Sequence, residues 1–319
     1  MKKFTLFDFP KDRVYVFLED TFRKKFFDEA INTLGSQSAL AKKLNVSSTM
    51  IKKWRIGKNK PQKGICEQGM PLWAIIKIYQ IIKGKFSLDK IQNAVLKYRA
   101  KGGFSVINPN LPLVEDQRLL RIFFHLAGDG FAGHFGGAQV NYYNTDRKVM
   151  KELIKDLSVF GRVKIKLREN GKRLGFPKVI GHILRHIYRT NFKSEEVKMP
   201  SHFFRLEKSL ILKGIRALMD DEATVEFSKI RIVLKNKPFL LDVARLLKNK
   251  TSFGNYISVS LGEKFAELRI RAGGMELYWR EINFVHSMKR RRLNFYLKIK
   301  KGKFPKNLYY HREIQDIKK

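Results

Sequence analysis

The chain has 319 residues, of which 44% are hydrophobic and 25 are phenylalanine, enough to build the cores of two or three domains. Lysine and arginine total 66 against 29 aspartate and glutamate, a formal charge of +37, which predicts a polyanionic partner. The longest apolar stretch, from Pro71 to Ile82, contains Lys77 and is too short to cross a bilayer, so no membrane association is expected.

The first readable pattern is a pair of short helices between Ser36 and about Pro61. Apolar residues recur with helical spacing in both, a turn at Asn45 and Val46 separates them, and Ser47 or Ser48 can cap the second. Such a pair resembles a helix-turn-helix, whose second helix enters the DNA major groove. The alternative is a basic helical hairpin that makes no groove contact. The basic side chains on the second helix, and so the predicted DNA contacts, are Lys52, Lys53 and Arg55.

Helical patterns continue through residues 73–82 and 87–98, so residues 1–100 are predicted to form an all-α N-terminal domain. Glycine, asparagine and proline then interrupt the pattern and predict a linker over residues 101–114. Cys66 is the only cysteine, which excludes an internal disulfide and a cysteine zinc cluster. A reducing, cytoplasmic location, close to the nucleoid, is expected.

Beyond the predicted linker the chain passes twice through one pattern. Each copy has an apolar helical run that ends in acidic residues, a short strand, an amphipathic helix and a Phe-Gly pair. The spacing also agrees, because Asp129 to Gly161 and Glu222 to Gly254 each span 32 positions. The sequence therefore predicts a duplication, with one copy at residues 115–203 and the other at 204–319, the latter including a basic C-terminal tail.

Several segments of both copies alternate basic with apolar residues, as strands with one buried face do. Phosphates would relieve the repulsion between rows of like charges, so these cationic faces are predicted to bind nucleic acid. The alternative is that the charges serve solubility alone. The predicted DNA-binding side chains on these strands are Arg162, Lys164, Lys166, Arg168, Lys229, Arg231, Lys235, Arg269 and Arg271.

The duplicated region is similar to the LAGLIDADG homing endonucleases, most clearly in GIRALMDDEATV, Gly214 to Val225, and in HLAGDG, His125 to Gly130. The resemblance covers about residues 115–300. It implies an α+β fold with two αββαββα repeats, whose motif helices pack about a pseudo-twofold axis beneath a saddle of strands that lies along double-stranded DNA. It also implies a monomer without an obligate protein partner, because the two repeats already form a pseudo-dimer.

The same resemblance implies the catalytic centre. The last acid of each motif, Asp129 in the first and Glu222 in the second, would meet at the ends of the motif helices. Two close carboxylates repel each other unless a hard divalent cation lies between them, which makes Mg²⁺ the expected cofactor. The backbone carbonyls of Gly128 and Asp221 are the expected further ligands. Such a centre would cut both strands of a specific DNA site by phosphodiester hydrolysis.

Basic residues from the strands assist catalysis in that family, and Lys264 is the candidate here in the second repeat, with Lys166 or Lys178 in the first. The basic run that begins at Lys289 either contacts flanking phosphates or forms a solvated surface. His125 and His134 have no partner at ligand spacing and are interpreted as packed histidines.

Two residues of the first motif keep other functions open. Phe123 and Phe124 occupy motif positions where the family normally has small residues, so the approach of the two acids has to be tested on the structure. One alternative is a transcription regulator that uses the same scaffold to bind DNA without cutting it. The other is an RNA-splicing maturase, against which the predicted helix-turn-helix argues.

Overall fold

The computed structural model describes residues 1–56, 69–131 and 139–302. Pro61, Cys66 and His134, which entered the sequence analysis, lie outside these ranges, as does the tail from residue 303 onward. Within the described ranges, no helix is both long enough and apolar enough to cross a membrane.

The N-terminal region contains a sheet as well as helices. The helices that the structure describes here are α1 Asp20–Leu34, α2 Gln37–Leu44, α3 Ser48–Ile56, α4 Leu72–Ile81 and α5 Leu88–Asn93. The strands are β1 Lys3–Phe4, β2 Tyr15–Leu18, β3 Met70–Pro71, β4 Val95–Arg99, β5 Ser105–Ile107 and β6 Leu113–Val114. The α+β class of the whole chain is confirmed, but the prediction that this region is all-α is wrong.

Strand β4 shows why the local pattern was misleading. The sequence predicts a helix through residues 87–98, whereas α5 ends at Asn93 and the chain then extends. β4 pairs with β2 on one side and with β5 on the other, and Val95 and Tyr98 are buried. Because β2 lies about eighty residues earlier in the chain, a pairing partner of this kind is invisible to an analysis of local periodicity.

The segment predicted as a linker takes part in two sheets. β1 pairs with β6, and β5 pairs with β4 and with β9, Arg162–Val163, which comes from the first repeat. The resulting sheet has the order β3-β2-β4-β5-β9. Residues 101–114 therefore join the N-terminal region to the first repeat through backbone hydrogen bonds, and the prediction of a free linker is wrong.

The rest of the described chain contains one αββαββα unit twice. The first copy comprises α6 Gln117–Ala127, β7 Gly130–Phe131, β8 Gln139–Tyr143, α7 Arg147–Asp156, β10 Lys166–Arg168, β11 Arg173–Pro177 and α8 Lys178–Tyr188. The second comprises α9 Lys208–Glu222, β12 Thr224–Val225, β13 Lys229–Leu234, α10 Lys237–Lys250, β14 Ile257–Leu261, β15 Ala266–Arg271 and α11 Met275–Glu281, and is followed by α12 Ser287–Lys300. The sheets have equivalent orders, β7-β8-β11-β10 and β12-β13-β15-β14. The predicted repeats are thereby confirmed at the level of the fold.

The alternating strands of the second copy bury the expected face, since Ile230, Ile232, Leu268 and Ile270 are fully buried. The predicted continuous strand over residues 162–168 is wrong. It is divided between β9, which pairs with β5, and β10, which pairs with β11. Because β9 and β10 belong to different sheets, the apolar side chains of residues 162–168 do not all lie on one buried face. The side chain of Leu167 is 54% exposed.

Candidate active site

The two motif helices, α6 and α9, pack directly against each other. Gly214 of α9 provides the space for Phe124 of α6, because a Cβ at Gly214 would lie only 2.6 Å from the Phe124 ring. Phe123 packs into an aromatic cluster, with its ring centroid 5.0 Å from that of Tyr188 and 5.1 Å from that of Phe203. The two phenylalanines therefore do not hold the motif helices apart, since the missing small residue of α6 is replaced by a glycine on α9.

The C-terminal ends of these helices meet at Gly128. A Cβ at this position would lie 3.1 Å from the Cβ of Asp221 and 3.4 Å from Oε1 of Glu222. Asp129 follows Gly128 directly, and its main-chain carbonyl accepts a hydrogen bond from the Tyr143 amide. The structure thus brings the two predicted motif acids, Asp129 and Glu222, to the same junction.

Both motif acids are weaker acids than usual. Burial, together with the negative charges of Asp221 and Glu222, raises the pKa of Asp129 to about 7, although Asp129 keeps exposed surface. Burial and the charge of Asp221 also raise the pKa of Glu222. Since a raised pKa means that ionisation is disfavoured, a nearby positive charge is needed to keep both carboxylates ionised at neutral pH.

The donor atoms at this junction suit a divalent cation. Mg²⁺ is commonly held by one or two carboxylates, with water and substrate phosphates completing its shell. The described residues contain no cluster of three or more His, Cys, Asp or Glu side chains placed to hold a metal ion. A two-carboxylate Mg²⁺ site does not require such a cluster, so Asp129 and Glu222 fit the predicted cofactor.

Asp221, whose carbonyl is a predicted metal ligand, has its carboxylate in a buried network. Its oxygens lie 2.9 Å from Nδ1 of His125 and accept hydrogen bonds from the Tyr142 hydroxyl at 2.5 Å and from Nδ2 of Asn144 at 3.1 Å. Burial alone would lower the pKa of His125, but the charge of Asp221 raises it above its usual value. His125 is packed, as predicted, but its partner comes from the other repeat and so could not be found from spacing along the sequence.

Lys289, the third residue of α12, lies at the same junction. Its Nζ donates to the carbonyls of Asp220 at 2.6 Å, Asp221 at 2.8 Å and Met219 at 3.3 Å. These carbonyls belong to the last turn of α9, where a helix has unpaired acceptors and the negative end of its dipole. The charge of Lys289 lowers the pKa of Asp129 and of Glu222, against the effect of burial. In the sequence, Lys289 is the first of four consecutive basic residues, and nothing in that run distinguishes it from its neighbours.

The start of α12 is held by both repeats. The amides of Val285 and His286 each donate to Oδ1 of Asp220 at 2.9 Å, and the Ser287 amide donates to Oδ2 of Asp146 at 2.8 Å. Asp220 is fully buried, and burial raises its pKa to about 7. Lys289 is therefore presented by a helix whose first turn is fixed, and it does not belong to a solvated tail.

Lys264 is the predicted catalytic lysine of the second repeat. It is exposed in the turn between β14 and β15. The lysine whose charge acts on Glu222 is Lys289. The catalytic role of Lys264 therefore stays a prediction. Lys289 is a second candidate, which strand alternation could not indicate because α12 lies beyond the repeat. In the first repeat, Lys178 packs on Gly103.

The predicted cationic face of the second repeat contains two glutamates. Arg231 pairs with Glu226 at 2.6 Å, and Arg269 pairs with Glu267, also at 2.6 Å. The predicted cationic face also carries an acid here, because Glu267 stands two residues from Arg269 on the same side of β15. The remaining predicted contacts are placed as follows: Lys229 is 3.5 Å from Glu226, Lys235 is 3.7 Å from Glu195, and Arg271 donates to the Asn255 carbonyl.

The basic residues of the first repeat are placed differently. Lys164 and Lys166 have their Nζ atoms 5.1 and 4.8 Å from the centre of the Phe104 ring, so both lie over one aromatic side chain. Arg162 and Arg168 are exposed. In the described part of the chain, no acidic side chain forms an ion pair with any of these four residues. Their charges are available to an external anion.

In the N-terminal region, α2 and α3 are joined by the short turn that the sequence predicts, with Asn45 in the left-handed conformation and the Ser47 hydroxyl accepting from the Met50 amide. Lys52 and Lys53 are exposed on α3. Arg55, by contrast, is paired with Asp28 of α1 at 2.6 Å. Of the three predicted DNA contacts on α3, Arg55 is the one that pairs with Asp28, and Lys52 and Lys53 do not take part in that ion pair.

An open cleft of about 290 Å³ adjoins Asp129 on the first repeat. Besides Asp129 and Tyr142 it is lined by residues of β8 and β11 and of the turn between β10 and β11, namely Asn141, Tyr143, Glu169 and Arg173. The Tyr143 side chain is 47% exposed. A ligand that reaches Asp129 would therefore meet an aromatic ring, an amide and a guanidinium group.

The known proteins that resemble this chain resemble it in fold. No family model matches it, and no characterised protein matches it in sequence. A structure of I-DmoI in complex with DNA and Mn is similar over 53% of this chain and 97% of its own, with a TM-score of 0.40 and 16% identity. The homing endonuclease I-WcaI bound to its DNA recognition sequence covers 57% of this chain and 87% of its own, with a TM-score of 0.40 and 10% identity.

Full-length DUF199/WhiA from Thermatoga maritima is also similar, over 64% of this chain and 66% of its own, with a TM-score of 0.42 and 11% identity. At such identities and TM-scores the likeness carries no argument about activity. The function has to be inferred from the residues at the junction of the motif helices.

Proposed function

We propose that this protein is an endonuclease that cuts both strands of a specific DNA site by Mg²⁺-dependent hydrolysis. The observation that supports this most is the meeting of Asp129 and Glu222 at the ends of two equivalent, packed helices. A duplicated scaffold that brings one carboxylate from each copy to a shared point suits a reaction with two equivalent halves. Cutting the two strands of a duplex is such a reaction.

In this proposal, Asp129 and Glu222 hold the divalent cation. When bound, the cation lowers the pKa of an attacking water and stabilises the oxygen that leaves the phosphate. Gly128 helps the two helix ends to approach, because a Cβ here would lie 3.1 Å from the Cβ of Asp221, closer than an ordinary contact. The Asp221 carboxylate is already hydrogen-bonded to His125, Tyr142 and Asn144, so the two motif acids remain the acids available to the cation.

DNA would be held by the basic residues outside this centre. Arg162, Lys164, Lys166 and Arg168 have no acidic partner in the described part of the chain and can contact phosphates directly. The ion-paired arginines of the second repeat, Arg231 and Arg269, would have to exchange a glutamate for a phosphate. We propose further that α2 and α3 form a helix-turn-helix in which Lys52 and Lys53 face the duplex. Because both acids belong to one chain, a monomer suffices.

A second function is favoured by one observation. The Asp221 carbonyl, a predicted metal ligand, accepts a hydrogen bond from the Lys289 ammonium. A permanent cation at this point would exclude a metal ion and leave a protein that binds DNA without cutting it. In that case the chain would act as a DNA-binding regulator.

The test is to incubate the protein with a randomised duplex-DNA library, with Mg²⁺ or with EDTA, and to sequence both the bound and the cut molecules. Asp129→Asn and Glu222→Gln are the matched variants, because each removes a charge while keeping the shape of the side chain. Double-strand ends that require Mg²⁺ and vanish in both variants, while binding persists, support the endonuclease. Selective binding without cuts supports the regulator. Stronger binding to structured RNA than to duplex DNA would contradict both and favour a maturase.

A further inference from the structure

We infer that Lys289 is a positioning residue of the carboxylate centre, whose ammonium takes the place of a divalent cation in the metal-free protein and thereby weakens the binding of that cation. The inference rests on the proposed function in one respect, since it takes Asp129 and Glu222 as the metal-binding acids. It adds an element that lies outside both repeats, the helix α12.

The first step is the coordination of the ammonium group. A lysine ammonium has three hydrogen-bond donors. Nζ of Lys289 has three acceptors, the carbonyls of Met219, Asp220 and Asp221, at 3.3, 2.6 and 2.8 Å. With all three donors used on main-chain oxygens, the group has none left for a phosphate. This geometry is that of a cation bound by the protein itself, and it contradicts a role in gripping DNA.

The second step concerns the position of that charge. Lys289 is bonded to the carbonyl of Asp221, the residue directly before Glu222. Asp221 also lies beside Gly128, the residue directly before Asp129. A hard divalent cation at the two acids would seek oxygens of the same kind. It would also meet the positive charge of Lys289 at short range in a partly buried site, where repulsion is stronger than in water. The two cations therefore compete.

The third step is that Lys289 is held in place. The first turn of α12 is bonded to Asp220 of the second repeat and to Asp146 of the first. Arg290, Arg291 and Lys298 of the same helix are exposed, whereas Lys289 faces inward. A lysine that is fixed by both repeats and bonded to the last carbonyls of α9, beside Glu222, is built into the centre.

The experiment is a calorimetric titration of Mn²⁺ into the full chain without DNA. It compares the wild type with Lys289→Gln, which removes the charge but keeps a donor, and with Lys289→Met, which removes both. Lys298→Gln is the control, because it makes the same change of charge on an exposed part of α12. We expect Mn²⁺ to bind both Lys289 variants about tenfold or more tightly than it binds the wild type, and to bind the control as it binds the wild type. Adding Asp129→Asn to Lys289→Gln should abolish the gain.

The direction of the effect separates this role from a structural one. Damage to the fold would weaken Mn²⁺ binding, whereas the removal of a competing cation strengthens it. Unchanged or weaker binding by Lys289→Gln, including the absence of any binding, overturns the inference.

A measurement on the wild type alone covers the case in which both variants fail to fold. Mn²⁺ should make Lys289 more reactive toward an acetylating reagent, relative to Lys298, when the modified residues are quantified by mass spectrometry. If Mn²⁺ leaves the ratio unchanged, the inference is wrong. The outcome is independent of DNA cleavage: a wild type that cuts DNA while its Lys289 variants bind Mn²⁺ no better refutes this inference alone, and tighter Mn²⁺ binding without any cleavage refutes the endonuclease alone.

Discussion

The two repeats have the same order of helices and strands but differ at the ends of their motif helices. In the first, Asp129 follows Ala127 and Gly128 and borders an open cleft. In the second, Glu222 follows Asp220 and Asp221, and Lys289 is bonded to the carbonyls beneath it. The order of helices and strands is the same in the two repeats, whereas the polar side chains around the two acids differ. A duplicated fold can thus keep one packing arrangement and give its two copies different electrostatic tasks.

The sheet faces differ in the same sense. Arg162, Lys164, Lys166 and Arg168 of the first repeat have no acidic partner among the described residues, while Arg231 and Arg269 of the second are paired with glutamates. We therefore expect the first repeat to provide more of the electrostatic attraction to a polyanion. The predictions below test how far the two halves depart from equivalence.

The largest effect is expected from the motif acids. Asp129→Asn and Glu222→Gln should each slow DNA cleavage about a thousandfold, because each removes one of the two carboxylates at the shared centre. Cleavage of a supercoiled plasmid, followed through its nicked and linear forms, measures the two strands separately. Equal loss on both strands is the expected result. If one variant nicks a single strand at the normal rate, the halves act independently and the idea of a shared centre is wrong.

Asp220 should make the stability of the metal-free protein depend on pH. Its pKa is raised to about 7 by burial, so the folded protein retains a proton that the unfolded chain has already released. The resulting penalty is absent below about pH 4, grows as the pH rises and is complete above about pH 7. Asp220→Asn should therefore raise the free energy of unfolding at pH 8 by up to about 4 kcal/mol and change it little at pH 4.

Urea denaturation in EDTA at the two pH values measures this difference. Asp12→Asn, at an exposed position, is the control. The first repeat has Ala127 at the position equivalent to Asp220 and lacks this contribution, although the raised pKa of Asp129 adds a separate one there. A variant that is equally stabilised at both pH values would show that the charge of Asp220 is not the cause.

The helix junction should be sensitive to a single methyl group. A Cβ at Gly214 would lie 2.6 Å from the Phe124 ring, which is fully buried. Gly214→Ala should therefore lower the free energy of unfolding by about 1 to 3 kcal/mol. The double variant with Phe124→Leu should recover part of the loss in thermal unfolding. Strictly additive effects would mean that the two residues do not limit the approach of the helices.

The smallest effects are expected from single charges on the sheets. Lys166→Ala should weaken DNA binding several-fold and reduce the slope of log K against log salt by about one, because an unpaired charge is lost. Arg231→Ala should weaken DNA binding less. Arg231 must break its ion pair with Glu226 before it contacts a phosphate, and this cost offsets part of the free energy gained from the phosphate. Fluorescence anisotropy over a range of salt concentrations measures both quantities. A larger loss for Arg231→Ala would reverse the proposed asymmetry.

Features that depend on local order were predictable from the sequence. Local periodicity and spacing indicated the α2–α3 turn, the duplication and the position of both motif acids. Each of these patterns is contained in a segment of about thirty residues. The α+β class followed from the family resemblance that the two motifs carry. Each of these depends on which residues are near in the chain, and the printed sequence contains that information directly.

Features that depend on pairing between distant segments were not predictable. β4 is a strand because β2 and β5 lie beside it, and β9 leaves its own repeat to complete the N-terminal sheet. His125 finds its partner in the other repeat, and Lys289 reaches the acids from a helix outside the repeat. Residue type alone did not distinguish Lys289 from Lys264, because both are lysines among many and only the tertiary structure decides which one meets the carboxylates.

The hydrogen bonding of β5 to both β4 and β9 makes one sheet continuous from the N-terminal region into the first repeat. Trp54 of α3 contacts Trp73 of α4. β3, which directly precedes α4, pairs with β2 of the same sheet. Such a sheet does not stretch, so the distance between α3 and the two acids is fixed. A duplex that contacts both α3 and the acids must therefore have a fixed number of base pairs between the two contact points. Inserting one base pair between these two points rotates one relative to the other by about 34° around the helix axis. The protein would therefore select its site by the spacing of two sequence elements as well as by the bases within them.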